Sequence, residues 1–303
     1  MSDSKRFDST DDYRGVFPAL VTAYDAQGQV NPEGQRQVTR WLLERGCRGF
    51  FVCGGTGEGL LLDEQERRQV LEAVMEEAGG EATIIAHVGS VSPLETYRLA
   101  EHAAELGADA IAAIPGAYFT PEPEELLAHY TALAQIAQRP TMLYHIPIRT
   151  GVSLTLEMID RLAQIPYVAG LKYTDYNLYM LQQMRVDQGE DFIILSGTDE
   201  VMIPARLMGA TGAIGTWYNL MPELFVAAYD ALGAGDVPTA IEYQRRGNAV
   251  IRKAADAGGL GMLKPALQAL GLEVGDARQP IHRPSAAEVE QFVQHFEAHG
   301  HPG

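Results

Sequence analysis

Positive charge is scarce in this sequence, and lysine is especially rare. The 303 residues include 23 Lys and Arg against 40 Asp and Glu, which gives a formal net charge of -17, and only four of the 23 are lysines. An acidic protein repels the phosphate backbone of nucleic acids and the surface of anionic membranes. We therefore expect neither nucleic acid nor a membrane as a partner, and we expect a small molecule instead.

Cysteine and long apolar runs are also scarce. The two cysteines, Cys47 and Cys53, do not form a C-x-x-C pair, and the polar start at residues 1–6 does not resemble a secretory signal. We therefore expect free thiols in a reducing, cytoplasmic compartment. No stretch approaches the roughly 18 uninterrupted apolar residues that cross a bilayer. The sequence thus predicts no membrane-spanning segment.

Several motifs of other enzyme classes are missing. The 8 histidines form no H-E-x-x-H sequence, which argues against a zinc enzyme, and the absence of G-x-S-x-G argues against a serine hydrolase. The glycine-rich segment Gly54–Gly59 has neither the G-x-G-x-x-G order of a dinucleotide site nor the lysine of a P-loop. A nucleotide site stays an alternative for this segment, but we expect no metal and no cofactor.

The sequence does contain a regular alternation of short apolar runs with helical patterns. The runs are continuously apolar, as buried parallel strands are. There are eight of them: Val16–Tyr24, Gly49–Cys53, Thr83–Val88, Asp109–Ile114, Thr141–Ile146, Val168–Tyr173, Phe192–Ser196 and Gly212–Thr216. Eight strand–helix units in a chain of this length predict an α/β fold of the TIM (β/α)8 barrel type. A doubly wound open sheet is the alternative, but the turn after its first strand would be glycine-rich, and Thr22–Asp25 contains no glycine.

No linker or low-complexity segment divides the chain, so we expect one continuous domain. Its parts are an N-terminal extension at residues 1–14, a barrel core at residues 15–221 and a C-terminal helical region at residues 222–303 that closes and extends the barrel. Further helical patterns after the eighth strand, from Pro222 onwards, are the basis for these additional C-terminal helices.

Lys172 lies inside the apolar run of the sixth predicted strand. Burying an ammonium group is costly, so its pKa falls or a charged partner must accompany it. A neutral amine in an apolar pocket is the group that attacks a ketone to form an imine. The alternative is a lysine at a strand end that pairs with an acid such as Asp175 or Asp199.

Other chemically capable residues follow the predicted strands, at the barrel end where active sites lie. Tyr144 lies near the end of the fifth strand, so its phenol and the amine of Lys172 are expected to face each other. Gly54–Glu58 follows the second strand, and its backbone N–H groups can approach an anion such as a carboxylate, with the Thr56 hydroxyl as a further donor. An ordinary tight loop is the alternative for this segment. His145 contacts the substrate or is a structural histidine.

These residues resemble the N-acetylneuraminate lyase and dihydrodipicolinate synthase family, class I aldolases on a TIM barrel, from about Gly15 to at least Glu223. Gly54–Glu58 is similar to the family's G-[ST]-T-G-E loop, Tyr144–Pro147 to its Y-x-x-P motif and Gly170–Lys172 to its G-[IL]-K motif. The resemblance implies that Lys172 forms a Schiff base with a 2-oxo acid such as pyruvate. It also implies that Tyr144 is catalytic and that Gly55 and Thr56 bind the substrate carboxylate.

The segment Pro115–Phe119 is similar to the aromatic segment that follows strand four in this family. The resemblance implies that Tyr118 reaches towards the catalytic site of a neighbouring subunit. It also implies a homotetramer arranged as a dimer of dimers.

Residues that resemble sugar-binding positions favour the sialic acid lyase branch of the family. These residues are Thr174, Asp199, Glu200 and Thr216, the last within Gly215–Asn219, and the resemblance implies that they hold sugar hydroxyls. Carboxylates can accept hydrogen bonds from several hydroxyls at once. The alternative for Asp199 and Glu200 is a helix start, where acids are favoured by the helix dipole.

Two positions depart from a simple assignment. Gly55 stands where the family usually has Ser or Thr, so the hydroxyl relay of the synthase branch would be broken. Arg149 is similar to the synthase arginine that binds the carboxylate of the second substrate, and its alternative is a surface arginine paired with an acid.

We predict a Schiff-base lyase that cleaves a 2-oxo-3-deoxy sugar acid, such as N-acetylneuraminate, to pyruvate and an aldehyde sugar. Alternatives are a synthase-like condensation of pyruvate with an aldehyde, and a dehydratase or aldolase for another 2-oxo-3-deoxy sugar acid or diacid. A non-enzymatic ligand sensor on the same barrel is the alternative from a different class.

Overall fold

A computed structural model describes residues 9–302 of the chain. Within these residues there are eight short strands: β1 Val16–Pro18, β2 Gly49–Val52, β3 Thr83–His87, β4 Ala110–Ala113, β5 Thr141–His145, β6 Val168–Tyr173, β7 Ile193–Ser196 and β8 Gly212–Gly215. Each lies within the run from which it was predicted. The first is shorter than expected, because its ladder with β8 ends at Pro18.

The strands form one parallel barrel. Their order around the sheet is β1-β8-β7-β6-β5-β4-β3-β2. A parallel bridge between Ala19 and Phe51 closes the ring between β1 and β2, supported by a 2.9 Å hydrogen bond from the N–H of Leu20 to the carbonyl of Phe51. The predicted TIM barrel is therefore confirmed, and the C-terminal ends of all the strands meet at one mouth.

Helices follow the strands and continue past the last one. In the described residues they are α1 Pro32–Leu43, α2 Glu64–Ala78, α3 Pro93–Glu105, α4 Pro123–Ala137, α5 Pro147–Thr150, α6 Leu156–Ala163, α7 Leu178–Gln188, α8 Met202–Leu207, α9 Pro222–Gly233, α10 Val237–Asp256, α11 Leu263–Ala269 and α12 Ala286–His299. Several begin with proline, whose fixed φ suits the first helical turn. The short helix α5 was not predicted, and it occupies the loop just after Tyr144.

Side chains alternate between the inside of the barrel and the layer under the helices, as strand geometry requires. The inside is a small cluster that includes Phe17, Phe51, Met142, Tyr144 and Leu195. The larger cluster fills the space between strands and helices. Tyr144 is the member of the inner cluster that lies closest to the mouth, where it meets Lys172.

The ends of the chain contribute differently. Residues 1–8 of the predicted N-terminal extension, and residue 303 at the other end, lie outside the described residues. Thr10–Tyr13 forms a turn of 3₁₀ helix that buries Tyr13. After β8, α10 packs against α9 and α12. No helix between residues 9 and 302 is long and apolar enough to cross a bilayer.

Candidate active site

The centre of the barrel mouth is occupied by Tyr144 and Lys172. They are direct register partners on the neighbouring parallel strands β5 and β6. The Lys172 Nζ donates a hydrogen bond of 3.1 Å to the Tyr144 hydroxyl. Both residues are buried, and Lys172 is only 4% exposed. The structure thus brings together the amine and the phenol that the sequence placed on adjacent strand ends.

The environment of Lys172 favours the neutral amine. Burial lowers the pKa of its ammonium group to about 7, and the Asp199 carboxylate opposes this shift. The Nζ lies 4.1 Å from the ring centre of Phe51 and 4.4 Å from that of Tyr144. No carboxylate in the described residues forms an ion pair with Lys172, so the alternative of a lysine paired with Asp175 or Asp199 is not what the structure has.

Tyr144 is surrounded by groups that act on its phenol in opposite directions. Burial raises the pKa of the phenol, whereas the Thr174 hydroxyl and the positive charge of Arg149 lower it. The Thr174 Oγ1 is buried and makes no hydrogen bond of standard geometry within the described residues. It lies beside Gly197, where a Cβ would come within 2.0 Å of Thr174 Oγ1 and 3.2 Å of Lys172 Cε. Glycine at position 197 therefore leaves room for both groups.

The glycine-rich loop after β2 forms one wall of the mouth. Within the described part of the chain, the N–H groups of Gly55 and Thr56 donate to no protein atom. The Thr56 hydroxyl is hydrogen-bonded to the Thr216 hydroxyl, 2.7 Å away in the loop after β8. Gly55 is exposed, and a Cβ there would meet no described atom within 4 Å. Free N–H groups in a turn are suited to holding a carboxylate.

Asp199 is buried, and backbone groups use its carboxylate. It accepts hydrogen bonds from the N–H groups of Thr216, at 3.2 Å, and Trp217, at 2.7 Å. Burial raises its pKa to about 7, against the effect of those two bonds. As the alternative of a helix start predicts, Asp199 is the first residue of a 3₁₀ turn, Asp199–Val201. Its carboxylate, however, caps a different turn, the one that follows β8.

Glu200 differs from its neighbour because it is only partly buried. It faces the exposed phenol of Tyr176, whose pKa is raised by burial and then by the Glu200 charge. Of the two acids, Glu200 has the freer carboxylate.

Arg149 lies in α5, and its side chain is exposed. Within residues 9–302 this side chain makes no hydrogen bond and no ion pair, so the alternative of a surface arginine paired with an acid is not observed. Its charge nevertheless reaches Tyr144 and lowers the pKa of the phenol. A free guanidinium group therefore stands beside the mouth.

His145 lies on the other side of β5, away from the mouth. Its ring stacks on that of Tyr173 at 4.9 Å. The Nδ1 accepts a hydrogen bond of 3.3 Å from the N–H of Leu154, and the Nε2 lies 3.6 Å from the Asp175 carboxylate. These contacts favour the structural role that the sequence left open for His145.

Sequence reasoning missed His87 at the end of β3. Its ring meets that of Tyr144 edge-on at 5.6 Å, and its Nδ1 lies 3.0 Å from the carbonyl of Cys53. Burial, followed by the charges of Arg67 and Lys172, lowers its pKa to about 3, while the contact with Cys53 opposes the shift. A neutral ring thus packs against the catalytic candidate Tyr144. The signal was available, since His87 also lies near the end of a predicted strand.

Tyr118 stands apart from the other candidates. It follows β4, has a positive φ of 72° and is 90% exposed. Its ring contacts that of Phe119 at 5.0 Å. Within one chain, the structure does not place Tyr118 against Tyr144 or Lys172.

Residues 9–302 contain no group of three or more His, Cys, Asp or Glu side chains that could share a metal ion. A cavity of about 1160 Å³ lies at the opposite end of the barrel, lined by residues such as Val16, Arg48 and Thr83 near the starts of strands. Catalysis in TIM barrels takes place at the other end. The mouth around Lys172 is therefore the candidate active site.

Comparison with known proteins identifies the relatives of this chain. The model of the dihydrodipicolinate synthetase family matches residues 12–299. The chain is 36% identical to the N-acetylneuraminate lyase of Mediterraneibacter gnavus over 92% of its own length and 90% of that protein. It is 40% identical to the N-acetylneuraminate lyase of Citrobacter koseri over 79% of its length and 81% of that protein.

The fold of this chain is also similar to that of a solved structure. The catalytic lysine mutant of the sialic acid aldolase from Ruminococcus gnavus superposes with a TM-score of 0.93 and 32% identity. The superposition covers 96% of this chain and 97% of the aldolase. A family match over nearly the whole chain, together with relatives above 30% identity at this coverage, leads to one conclusion: the chain belongs to the dihydrodipicolinate synthetase family.

Proposed function

We propose that this protein is a class I lyase that cleaves a 2-oxo-3-deoxy sugar acid to pyruvate and an aldehyde sugar. The observation that carries the proposal is the 3.1 Å contact between the amine of Lys172 and the phenol of Tyr144 in a buried barrel mouth. Relatives of this chain bear the name N-acetylneuraminate lyase, which makes N-acetylneuraminate the first substrate to test.

The reaction begins with Lys172. Its neutral amine attacks the C2 ketone of the open-chain substrate. The Tyr144 phenol gives a proton as water is lost, which leaves a protonated imine on Lys172 and a phenolate on Tyr144. The free N–H groups of Gly55 and Thr56 hold the C1 carboxylate beside it. The lowered pKa of Lys172 supports this role, because a useful fraction of the amine is neutral near neutral pH.

Bond cleavage follows from the position of Tyr144. Its phenolate oxygen takes the proton from the C4 hydroxyl, and the electrons of the C3–C4 bond move into the imine. This step releases the aldehyde sugar and leaves an enamine of pyruvate on Lys172. Protonation at C3 and hydrolysis of the imine then release pyruvate and restore the amine. The imine itself is the electron sink, so the proposed reaction needs no cofactor.

The sugar part of the substrate would extend past Thr174 towards Glu200. The Thr174 hydroxyl beside Tyr144 and the partly buried Glu200 carboxylate supply a donor and an acceptor for sugar hydroxyls. Thr216 is already bonded to Thr56, and the Asp199 carboxylate is bonded to backbone. We therefore assign Asp199 and Thr216 mainly to shaping the pocket.

A second candidate substrate class is favoured by Arg149. Its guanidinium group, which makes no ion pair within residues 9–302, suits a second carboxylate on the substrate. A lyase or dehydratase acting on a 2-oxo-3-deoxy sugar diacid would use this charge. A condensation of pyruvate with an acidic aldehyde, as in the synthase branch, would use it as well.

We further propose a cytoplasmic homotetramer, a dimer of dimers. The 90% exposed Tyr118 and its neighbour Phe119, 74% exposed, offer aromatic surface at the loop after β4, and a partner subunit would cover it and receive Tyr118 near its own mouth. In this proposal residues 15–221 form the catalytic barrel, and residues 222–303 close and extend it. Light scattering of the purified protein measures the mass directly, and a monomer at working concentration would contradict the assembly.

Borohydride trapping with peptide mass analysis tests the proposed chemistry. The protein is reduced in the presence of pyruvate, N-acetylneuraminate, or a panel of 2-oxo-3-deoxy sugar acids and diacids, with Lys172→Met as the control. We expect a pyruvate-sized adduct on Lys172 from pyruvate and from the substrate that is cleaved. Ligand binding without any adduct would instead indicate a sensor.

A further inference from the structure

The glycine-rich loop at the mouth is anchored from behind by a buried ion pair. The Glu58 carboxylate, at the end of the loop, lies 2.6 Å from the Lys264 ammonium in α11. The two side chains are 2% and 3% exposed. Among the ion pairs of residues 9–302, no other has both side chains buried to this degree. Neither residue touches Lys172 or Tyr144, and the proposed reaction does not use their charges.

The surroundings of the pair keep both charges in place. The second oxygen of Glu58 accepts a hydrogen bond of 2.7 Å from the N–H of Arg278. The Lys264 ammonium lies 3.8 Å from the ring centre of Tyr24 and donates to the carbonyl of Asp276 at 3.4 Å. Burial lowers the pKa of Lys264 to about 8, and the Glu58 charge opposes the shift. Removing either partner would leave a buried charge without compensation.

The loop has a backbone geometry that needs such an anchor. Glu58 adopts the left-handed conformation, with φ 58° and ψ 25°, which is strained for a residue other than glycine. Its N–H donates to the carbonyl of Gly55 at 3.1 Å, and the carbonyl of Gly57 accepts from the Thr22 hydroxyl at 2.6 Å. The loop carbonyls are thereby engaged on the inside of the turn, while the N–H groups of Gly55 and Thr56 stay free.

We propose that the Glu58–Lys264 pair is a positioning device that holds residues 54–58 in the conformation that binds the C1 carboxylate of the substrate. The role of the loop rests on the proposed function. The pair acts through the loop, so its loss should weaken binding of the 2-oxo acid more than it slows the chemistry at Lys172.

Three variants separate this role from a contribution to stability alone. Lys264→Met and Glu58→Gln each remove one charge with little change in size, and the double variant Glu58→Gln/Lys264→Met removes both. Replacing a buried pair by neutral groups commonly restores the stability that a single change loses. In the double variant we therefore expect thermal stability to recover while binding stays weak. Arg245→Met and Glu242→Gln, in an exposed pair of α10, are the matched controls.

Two readouts are needed, both on the intact protein. The first is the pyruvate concentration that gives half-maximal borohydride trapping on Lys172, and the second is amide hydrogen exchange of residues 54–59. We expect the half-maximal concentration to rise about tenfold or more in all three variants, with the maximal adduct yield preserved and exchange of the loop accelerated. The control variants should match the wild type in both readouts.

The outcomes distinguish this proposal from the proposed function. If the wild-type protein forms no adduct, the proposed function is wrong. In that case the amide hydrogen exchange of residues 54–59 alone tests whether the pair holds the loop, and unchanged exchange in the variants would overturn the positioning role. A wild-type adduct combined with half-maximal concentrations within twofold in the folded variants overturns the positioning role. Recovery of both stability and binding in the double variant also overturns it, since the pair would then be merely structural. If one single variant does not fold, the other two decide.

Discussion

Asp199 is the acid that acts most directly on Lys172, yet its carboxylate is bonded to the backbone N–H groups of Thr216 and Trp217 instead of the ammonium. A direct ion pair would keep the lysine protonated. Because Asp199 is occupied elsewhere, burial dominates and the pKa of Lys172 falls to about 7. The site thereby obtains a nucleophilic amine near neutral pH.

The rate of imine formation should rise with pH through about 7. Below that value the buried amine of Lys172 is protonated and cannot attack a ketone, and above it the neutral form predominates. The second-order rate of trapping with pyruvate, measured from about pH 5 to pH 9, checks this. In Asp199→Asn the rise should move to lower pH, because the opposing negative charge is gone. A rise centred near pH 10 would show that burial does not control the amine.

Lys172→Met should stabilise the protein, and more so in acid. The pKa of Lys172 is about 7 when folded and near 10.5 when unfolded, so the unfolded chain binds the proton more tightly. Wild-type stability therefore falls as pH drops from about 10.5 to 7, and the loss is complete below that. The gain for Met should be about 2 to 3 kcal/mol larger at about pH 6 than at about pH 9. Denaturant unfolding at both pH values measures it, with Lys253→Met as the control for removing a lysine.

Tyr144→Phe should lower kcat by roughly 10² to 10⁴ while imine formation continues. The phenol is needed to move the C4 proton, whereas the amine of Lys172 remains available. Steady-state cleavage and borohydride trapping on the same preparation separate the two steps. Tyr130→Phe is the matched control, because Tyr130 is also buried but donates to the carbonyl of Ala113. Cleavage near the wild-type rate in Tyr144→Phe would remove Tyr144 from the proton transfer.

Asp199→Asn and Glu200→Gln should have different consequences. The two oxygens of Asp199 accept hydrogen bonds from two N–H groups, whereas an Asn side chain has only one acceptor oxygen. We therefore expect Asp199→Asn to lower the free energy of unfolding by about 1 to 3 kcal/mol. Glu200→Gln should leave stability nearly unchanged and raise KM for the sugar acid without changing trapping by pyruvate. Equal effects of the two changes on stability would contradict this division of roles.

Arg149→Gln distinguishes the two candidate substrate classes. If the natural substrate carries a second carboxylate, removing the unpaired charge should lower kcat/KM for the diacid by about 10 to 100-fold, since hydrogen bonds to charged groups contribute about 1.5 to 3 kcal/mol. Activity with N-acetylneuraminate should change much less. Arg252→Gln, another exposed arginine without an ion pair in the described residues, is the control. Equal losses for both substrates would mean that Arg149 does not select for a second acid.

The fold was accessible from the sequence because buried parallel strands are continuously apolar and amphipathic helices have their own period. Both signals are local, so all eight strands were located. The sequence did not reveal the short helix after Tyr144 or the early end of β1 at Pro18. Both depend on how loops pack over the barrel and not on a repeating pattern.

By itself, the sequence determined the barrel and the residue types at its mouth, since one apolar run carries Lys172 and the preceding one carries Tyr144 near its end. Only the tertiary structure decided which groups meet. It joined Glu58 to Lys264 behind the loop and directed Asp199 to backbone N–H groups. It also left the Arg149 side chain without an ion pair in the described part of the chain. The physical reason is that hydrophobic periodicity is a property of residues close together in the sequence. The partner of a buried charge, in contrast, comes from a distant segment that is brought near only when the barrel closes.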